Sequence, residues 1–488
     1  MNYGNLKKKT LSGVIWKFLE RISAQGVSLI VSIILARILI PEDYSVVSIV
    51  TIFFAFCNIF ISGGLNTALI QKKDADLEDY NTVLHTTMIV ALIMYITMFL
   101  TAPLIADIYD KTILIPVIRI MSLTFFINAF KSILSAYTSN NLQFKKFFFS
   151  TIIGTIISAF VGIYMATKGY GAWALVAQQM SNSIIDTIIL YFSTKFKILF
   201  KISFSKLKSL FKYGWKIFVS SIITVAYEQI NPLIVGIKYS AKDLAYYNKG
   251  QNYPGLINST ISDTLQAVIF PVMSKVQDDN QMVLNVTRKY IKVSSYIIFP
   301  MMIGFFAVSD SFVSVVLTDK WLPIVPYIKI FCFTYMLNIV QVGNLQAIKA
   351  IGRSDISLIL EIIKKSLYFI VILLFVLFSD NPLTLAISSI VCTIIATIIN
   401  TYPNRKLLDY KYRYQIKDLL PNFIITIIMG IIVSLMSQIN LPTIILLILQ
   451  IFVGIITYLI LSIITKNDNL SYLIDYIKMY FKKGEDHV

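Results

Sequence analysis

Charge is scarce in this chain. Only 14% of its 488 residues are Asp, Glu, Lys or Arg, whereas 57% are hydrophobic. No soluble domain stays dispersed at that balance, and a mean hydropathy of +0.73 points to a polytopic helical membrane protein. Histidine is nearly missing: His85 and His487 are the only two, so His-based catalysis has little material. Cys57, Cys332 and Cys392 lie singly inside apolar runs, which offers neither a disulfide framework nor a metal motif. No G-x-x-x-x-G-K-[ST] occurs, so no P-loop is present to hydrolyse a nucleotide. Acidic residues are few, 26 against 43 basic ones, for a net charge of +17. In a soluble protein that excess would suggest nucleic acid. Here the Lys and Arg residues sit mostly in short loops between apolar spans, so no nucleic-acid partner is expected.

What is abundant is long apolar sequence. Stretches of spanning length fall near 13–39, 44–70, 83–106, 112–138, 146–167, 171–194, 213–237, 252–274, 290–317, 322–348, 355–378, 382–402, 418–437 and 441–465. The longest loop, KFKILFKISFSKLKSLFK at 195–212, holds six lysines and no acid. Counted on alternating sides, loops on one side and the two ends carry 28 basic residues, and loops on the other carry six: Lys111, Lys168, Lys238, Lys242, Lys249 and Lys320. That bias predicts that both termini are cytoplasmic, as an even number of spans requires. The start, MNYGNLKKKT, is basic, but the span after it is too long and lacks a small-residue cleavage site, so no signal peptide is expected. After the last span, NLSYLIDYIKMYFKK (469–483) places Leu470, Leu473, Ile474, Ile477 and Phe481 on one face, which fits either an amphipathic helix on the inner leaflet or a plain cytoplasmic tail.

Nine basic residues lie within the spans and need an explanation: Lys17, Arg21, Arg37, Arg119, Lys131, Lys216, Lys329, Lys364 and Lys365. A basic side chain near a membrane centre costs roughly 2.5–3.5 kcal/mol on insertion scales. In the first span Lys17, Arg21, Gln25, Ser28 and Ser32 share one helical stripe, with Glu20 beside it. Two readings stand: a local ion pair of Glu20 with Lys17 and Arg21 that snorkels to the surface, or the wall of a hydrated cationic cavity. Arg37, near the outer end of the span, reads as an interface anchor.

The chain repeats itself at about 200–210 residues. Trp16-Lys17 lines up with Trp215-Lys216, where Lys216, Ser220, Thr224, Glu228 and Asn231 again form a polar stripe. Asn58, Ser62 and Asn66 share a face in the second span, and so do Asn258, Ser262 and Gln266 in the eighth. RIMSLTFFINAFK (119–131) matches KIFCFTYMLNIVQ (329–341), pairing Arg119 with Lys329 and Lys131 with Gln341. The expected fold is therefore all-α, a polytopic membrane protein of about 14 transmembrane helices. It comprises an N-lobe over 1–200, a C-lobe over 201–408, two further helices over 409–467 and a cytoplasmic tail over 468–488. Six spans per repeat keep both lobes the same way up, so the repeats are parallel.

WKFLERISAQGVSLIVSIILARILIPEDYSVVSIV, with its Trp, basic residues, Gln and LAR-x-L-x-P turn, resembles the Wzx-type oligosaccharide-lipid flippases. These belong to the multidrug/oligosaccharidyl-lipid/polysaccharide exporter superfamily, and the teichuronic-acid and lipopolysaccharide exporters are the nearest branch. SGGLNTALIQKKD (62–74), NNLQFKKF (140–147) and AIKAIGRSD (347–355) continue the likeness, while Ser45 departs from the Gly often found after Asp-Tyr. The resemblance implies transport of an undecaprenyl-diphosphate-linked oligosaccharide from the inner to the outer leaflet of a bacterial cell membrane, alone or beside other polysaccharide assembly proteins. Arg suits diphosphate geometrically and Lys acts as a point charge. Lys17, Arg21 and Lys216 are thus the first candidates for diphosphate or acidic sugar, and Arg119, Lys131 and Lys329 the second. Gln25, Asn58, Asn66, Asn231, Asn258 and Gln266 are candidates for sugar hydroxyls. Glu228 either pairs with a cavity base or binds H⁺ or Na⁺ to couple transport, with Asp186 and Asp263 weaker candidates. No metal or organic cofactor is expected, and the oligomeric state is not encoded.

Rival readings differ in what they require. A multidrug antiporter of the same superfamily needs a cavity dominated by carboxylates, and the buried charge here is mostly basic. A lipid II flippase shares the basic cavity. A membrane glycosyltransferase could use Asp74-Ala75-Asp76 as a metal-nucleotide D-x-D, but that triplet sits in a loop of about a dozen residues with no nucleotide-binding domain around it. A polymerase or ligase would be expected to carry a large external loop. A structural scaffold leaves the polar stripes unexplained.

Overall fold

A computed structural model describes residues 3–72, 74–276 and 278–472, without the side chains of 3–15, 18, 213, 263–272, 274, 275 and 354. No strand occurs among the described residues. The helices in chain order are α1 (Tyr3–Ile38), α2 (Pro41–Ser62), α3 (Leu65–Gln71), α4 (Leu77–Ile108), α5 (Leu114–Met121), α6 (Thr124–Asn140), α7 (Phe144–Thr167), α8 (Ala172–Thr194) and α9 (Phe204–Ile234). They continue as α10 (Ala241–Lys275), α11 (Asn280–Phe312), α12 (Val325–Ala350), α13 (Ser354–Phe378), α14 (Pro382–Thr401), α15 (Asn404–Leu407), α16 (Tyr412–Leu435) and α17 (Thr443–Ile464). Each of the fourteen expected spans coincides with one of these helices or an adjoining pair. Eleven helical stretches among the described residues are long and apolar enough to cross a membrane. The chain is thus a multi-pass all-α membrane protein. α8, α10 and α13 fall outside those eleven.

Two expected spans are interrupted. Between α2 and α3 the chain turns at Gly63 and Gly64, whose φ of +85° is left-handed backbone that favours glycine. Between α5 and α6, Ser122 Oγ donates to the Ile118 carbonyl and Thr124 Oγ1 to the Met121 carbonyl, both at 2.6 Å, so hydroxyls satisfy backbone acceptors where the helix loosens.

The helices form two compact units, Met1–Ala245 and Tyr246–Val488. In the first, α1 lies on α7, α7 on α8, α4 on α5 and α6, and α9 on α2 and α3. Its core includes Leu69, Val83, Ile133, Leu134, Leu190 and Phe196. α9 opens the second lobe of the sequence repeat, yet it packs within the first unit. A Cβ on Gly214 would sit 2.9 Å from the Gly64 carbonyl carbon, so only two glycines allow this approach, and Phe60 and Phe218 pack edge-to-face at 5.2 Å beside it.

In the second unit α11 is the hub, packed against α12, α16 and α17. Tyr296, Val308, Ile425, Met429, Val433 and Tyr458 form its core. The two helices beyond the repeat are therefore packed into this unit. Polar ties hold them there: Arg288 binds Asp418 through Nε and Nη2 at 2.7 and 2.8 Å, and Tyr410 donates to the same carboxylate at 2.8 Å. One expectation needs revision: Lys249, counted as an external loop lysine, lies inside α10 at 6% exposure, beside the rings of Trp321 and Tyr253. Of the expected tail helix, residues 473–483 lie outside the described residues.

Candidate functional site

α1 docks its Trp16 side on α7. The indole packs 5.2 Å from the ring of Phe148 and 6.1 Å from that of Phe149. Glu20 turns the same way, accepting from Thr151 Oγ1 at 3.3 Å and from Lys17 Nζ at 2.6 Å. Lys17 also sits 4.8 Å over the Phe147 ring. Lys17 thus has the local acidic partner that the ion-pair reading requires. Arg21, one turn further in, is exposed, and Gln25 beyond it is half-buried.

α9 presents a longer polar face. Lys216, Ser220, Thr224 and Glu228 are all exposed, while Asn231 near the C-terminal end of α9 is buried at 2%. Lys216, Ile217, Ser220, Ser221, Thr224 and Val225 line an open cavity of about 390 Å³. A cation and three hydroxyls along one helix face offer charge-assisted and neutral hydrogen bonds to an oxygen-rich ligand. The Gly64–Gly214 crossing sets the position of this face. It brings the backbone of α9 at Gly214 against the turn between α2 and α3, after which Asn66 Oδ1 is buried without a hydrogen-bond partner. Asn58, two turns earlier, is engaged: its Oδ1 accepts from Asn128 Nδ2 of α6 at 3.1 Å. In the second unit Asn258 is buried and its Oδ1 accepts from Ser262 Oγ at 3.1 Å. The side chains of Asp263 and Gln266 lie outside the described residues.

The remaining basic residues are tied to neighbouring helices in a repeated pattern. Arg119 lies 4.2 Å over the ring of Phe99, with Nε 3.4 Å from that residue's carbonyl, joining α5 to α4. Its repeat counterpart Lys329 reaches Asp310 of α11 at 2.7 Å, joining the equivalent pair of spans. Lys131 binds Asp186 of α8 at 2.6 Å. Gln341, at the matching position, donates to the Thr393 carbonyl and to Thr397 Oγ1 of α14, each at 3.2 Å. The same two joints, third span to fourth and fourth to sixth, therefore recur in each half with different chemistry. Sequence alone showed the matched positions but not their partners, since those lie on helices about 20 and 55 residues away.

Two further clusters were not anticipated. Asp79 is fully buried and bound by Lys72 Nζ at 2.6 and 2.7 Å, closing the turn before α4. Asn344 of α12 exchanges hydrogen bonds with Gln415 of α16 at 2.9 and 3.1 Å and accepts one from Asn404 of α15 at 2.8 Å, which ties both to α12. Among the described residues no group of three His, Cys, Asp or Glu is placed to hold a metal ion.

Known proteins agree with this architecture. Over 452 residues the chain is 24% identical to the lipopolysaccharide biosynthesis protein WzxC of Escherichia coli (strain K12), covering 88% of this chain and 89% of that protein. It is 21% identical over 358 residues to the teichuronic acid biosynthesis protein TuaB of Bacillus subtilis (strain 168), covering 72% and 74%. Its fold is similar to a solved structure of the lipid II flippase MurJ in an inward closed conformation, with a TM-score of 0.73 at 16% identity, covering 94% of this chain and all of that one. At that identity the likeness is one of fold. The family described as polysaccharide biosynthesis protein matches residues 34–326, more than half of the 488, and the chain belongs to that family.

Proposed function

We propose that this chain is a flippase that moves undecaprenyl-diphosphate-linked oligosaccharide from the inner to the outer leaflet for surface polysaccharide biosynthesis, by exposing a cationic face alternately to the two sides of the membrane. The observation that carries this reading is the α9 face, where Lys216 stands with Ser220, Ser221 and Thr224 along an open cavity inside a membrane span. A diphosphate cannot cross ~30 Å of hydrocarbon unaided, and a lysine beside hydroxyls substitutes for its hydration. Family membership supports the same pathway. Arg21 joins Lys216 as a substrate residue. Lys17, paired with Glu20, has a lesser part, and Arg119, Lys131 and Lys329 act as ties between helices. Both termini lie in the cytoplasm, following the basic loops. Glu228, exposed one turn beyond Thr224, is the residue we assign to H⁺ or Na⁺ coupling.

The test is leaflet-resolved accumulation of labelled lipid-linked oligosaccharide in cells carrying Arg21→Ala or Lys216→Ala. Outward transport falling at least tenfold in each, at unchanged protein level, is the expected result. Normal transport in both overturns the assignment. If deletion leaves surface polysaccharide intact but alters drug tolerance, the antiporter reading replaces this one.

A further inference from the structure

The linker between α8 and α9 is a strap laid along the start of α4. From Phe196 to Ser203 its backbone is not helical, and α4 side chains take up its polar groups. Asn81 Nδ2 donates to the Lys197 carbonyl at 3.2 Å, and the Leu199 N–H donates to Asn81 Oδ1 at 2.8 Å. The Ser203 N–H donates to Thr82 Oγ1 at 3.1 Å, and His85 Nε2 lies 2.9 Å from the Leu199 carbonyl. Phe196 plugs the near end into the core, 5.4 Å from Tyr137 and 6.4 Å from Tyr80. At the far end Lys206 binds Asp76 at 2.6 Å and Glu78 at 2.8 Å.

So anchored, the strap turns its other side chains outward. Phe200 is 92% exposed although its ring stacks on His85, and Phe204 is 79% exposed. Ile198 and Ile202 on the same strap are exposed too, as are Lys195, Lys197 and Lys201. The pinning residues lie in the first nine positions of α4, a candidate span, so the strap crosses within roughly 12 Å of that helix's start. That is the depth of the head groups and the first methylenes. A row of aromatic and aliphatic side chains alternating with lysines, held rigidly at that depth, matches a leaflet that is apolar below and anionic above.

We propose that residues 195–204 form a docking surface for anionic phospholipid of the inner leaflet, with Phe200 and Phe204 inserted among acyl chains and Lys195, Lys197 and Lys201 at the phosphates. Lys206 is already neutralised by Asp76 and Glu78 and serves as the anchor. This surface is independent of the α9 cavity, and its test does not involve the oligosaccharide substrate.

The three native cysteines are buried, so a single Phe200→Cys substitution can be labelled with an environment-sensitive fluorophore in the full-length protein. The labelled protein goes into nanodiscs of phosphatidylcholine with increasing phosphatidylglycerol. The emission should shift to the blue, and quenching by a lipid-attached quencher should rise with phosphatidylglycerol. Adding Lys197→Gln and Lys201→Gln should move the titration roughly tenfold or more, as the loss of two near-surface lysines dictates. High salt should do the same to the unsubstituted strap. Equal emission at all lipid compositions overturns the proposal, as does a phosphatidylglycerol response that survives both the Gln substitutions and salt.

Discussion

Lys131→Met separates a helix tie from a substrate contact. Lys131 Nζ lies 2.6 Å from Asp186, whose side chain is 5% exposed while that of Lys131 is 36% exposed. Removing the lysine strands a carboxylate between α6 and α8, where Gly154 of α7 also presses on it: a Cβ there would lie 3.1 Å from that of Asp186. Breaking a buried pair from one side costs about 3–5 kcal/mol, and partial exposure of the lysine brings the expected loss to the lower end, about 3 kcal/mol. The second substitution, Asp186→Leu, removes the stranded charge. The double variant should regain most of the lost stability, since an apolar pair of similar volume often replaces a buried ion pair without penalty. Thermal unfolding of the detergent-purified protein measures the first quantity, at about 1 °C per kcal/mol for a chain this large. Leaflet-resolved transport in cells measures the second. Both should fall in the single variant and return together in the double one. A double variant that recovers its Tm but remains transport-dead refutes the tie and makes Lys131 a substrate residue.

Lys216→Glu reverses the charge at an exposed site, so transport should be abolished while the Tm stays within about 1 °C of the parent, measured on the same two assays. Gly214→Ala drives a Cβ to 2.9 Å from the backbone of Gly64, and overpacking of that kind costs about 1–3 kcal/mol, visible as a Tm lowered by about 1–3 °C. Asp418→Ala removes the shared acceptor of Arg288, Lys292 and Tyr410, and a loss of about 3 kcal/mol is expected from thermal unfolding. The Lys206 ammonium beside Asp76 holds that carboxyl down at about 2, below its ordinary value near 3.9. A lowered folded-state value means that this clamp is fully present above about pH 3.9 and is lost only as pH falls towards 2. The Tm difference between the parent protein and a Lys206→Met variant should therefore be constant from pH 5 to 8.

Length, composition and hydropathy period determined the class of this chain and gave an expected span count and orientation, because a bilayer demands about twenty apolar residues per span and leaves that demand written in the sequence. The sequence also determined which positions correspond across its two halves: Arg119 with Lys329, Lys131 with Gln341. Partners were not legible, because a helix shows its own periodicity and nothing of the helix beside it. Only the tertiary structure decided that Lys131 meets Asp186, that Gln341 meets Thr393 and Thr397, and that Lys249 is buried beside Trp321 and not in a loop. It also decided that α9 packs into the first unit, since two glycines 150 residues apart become meaningful only when their backbones touch. Of the charged stripe in the first span, sequence supplied the residues and packing against α7 sorted them. Glu20 faces Thr151 and pairs with Lys17, and Lys17 and Arg21 are both exposed.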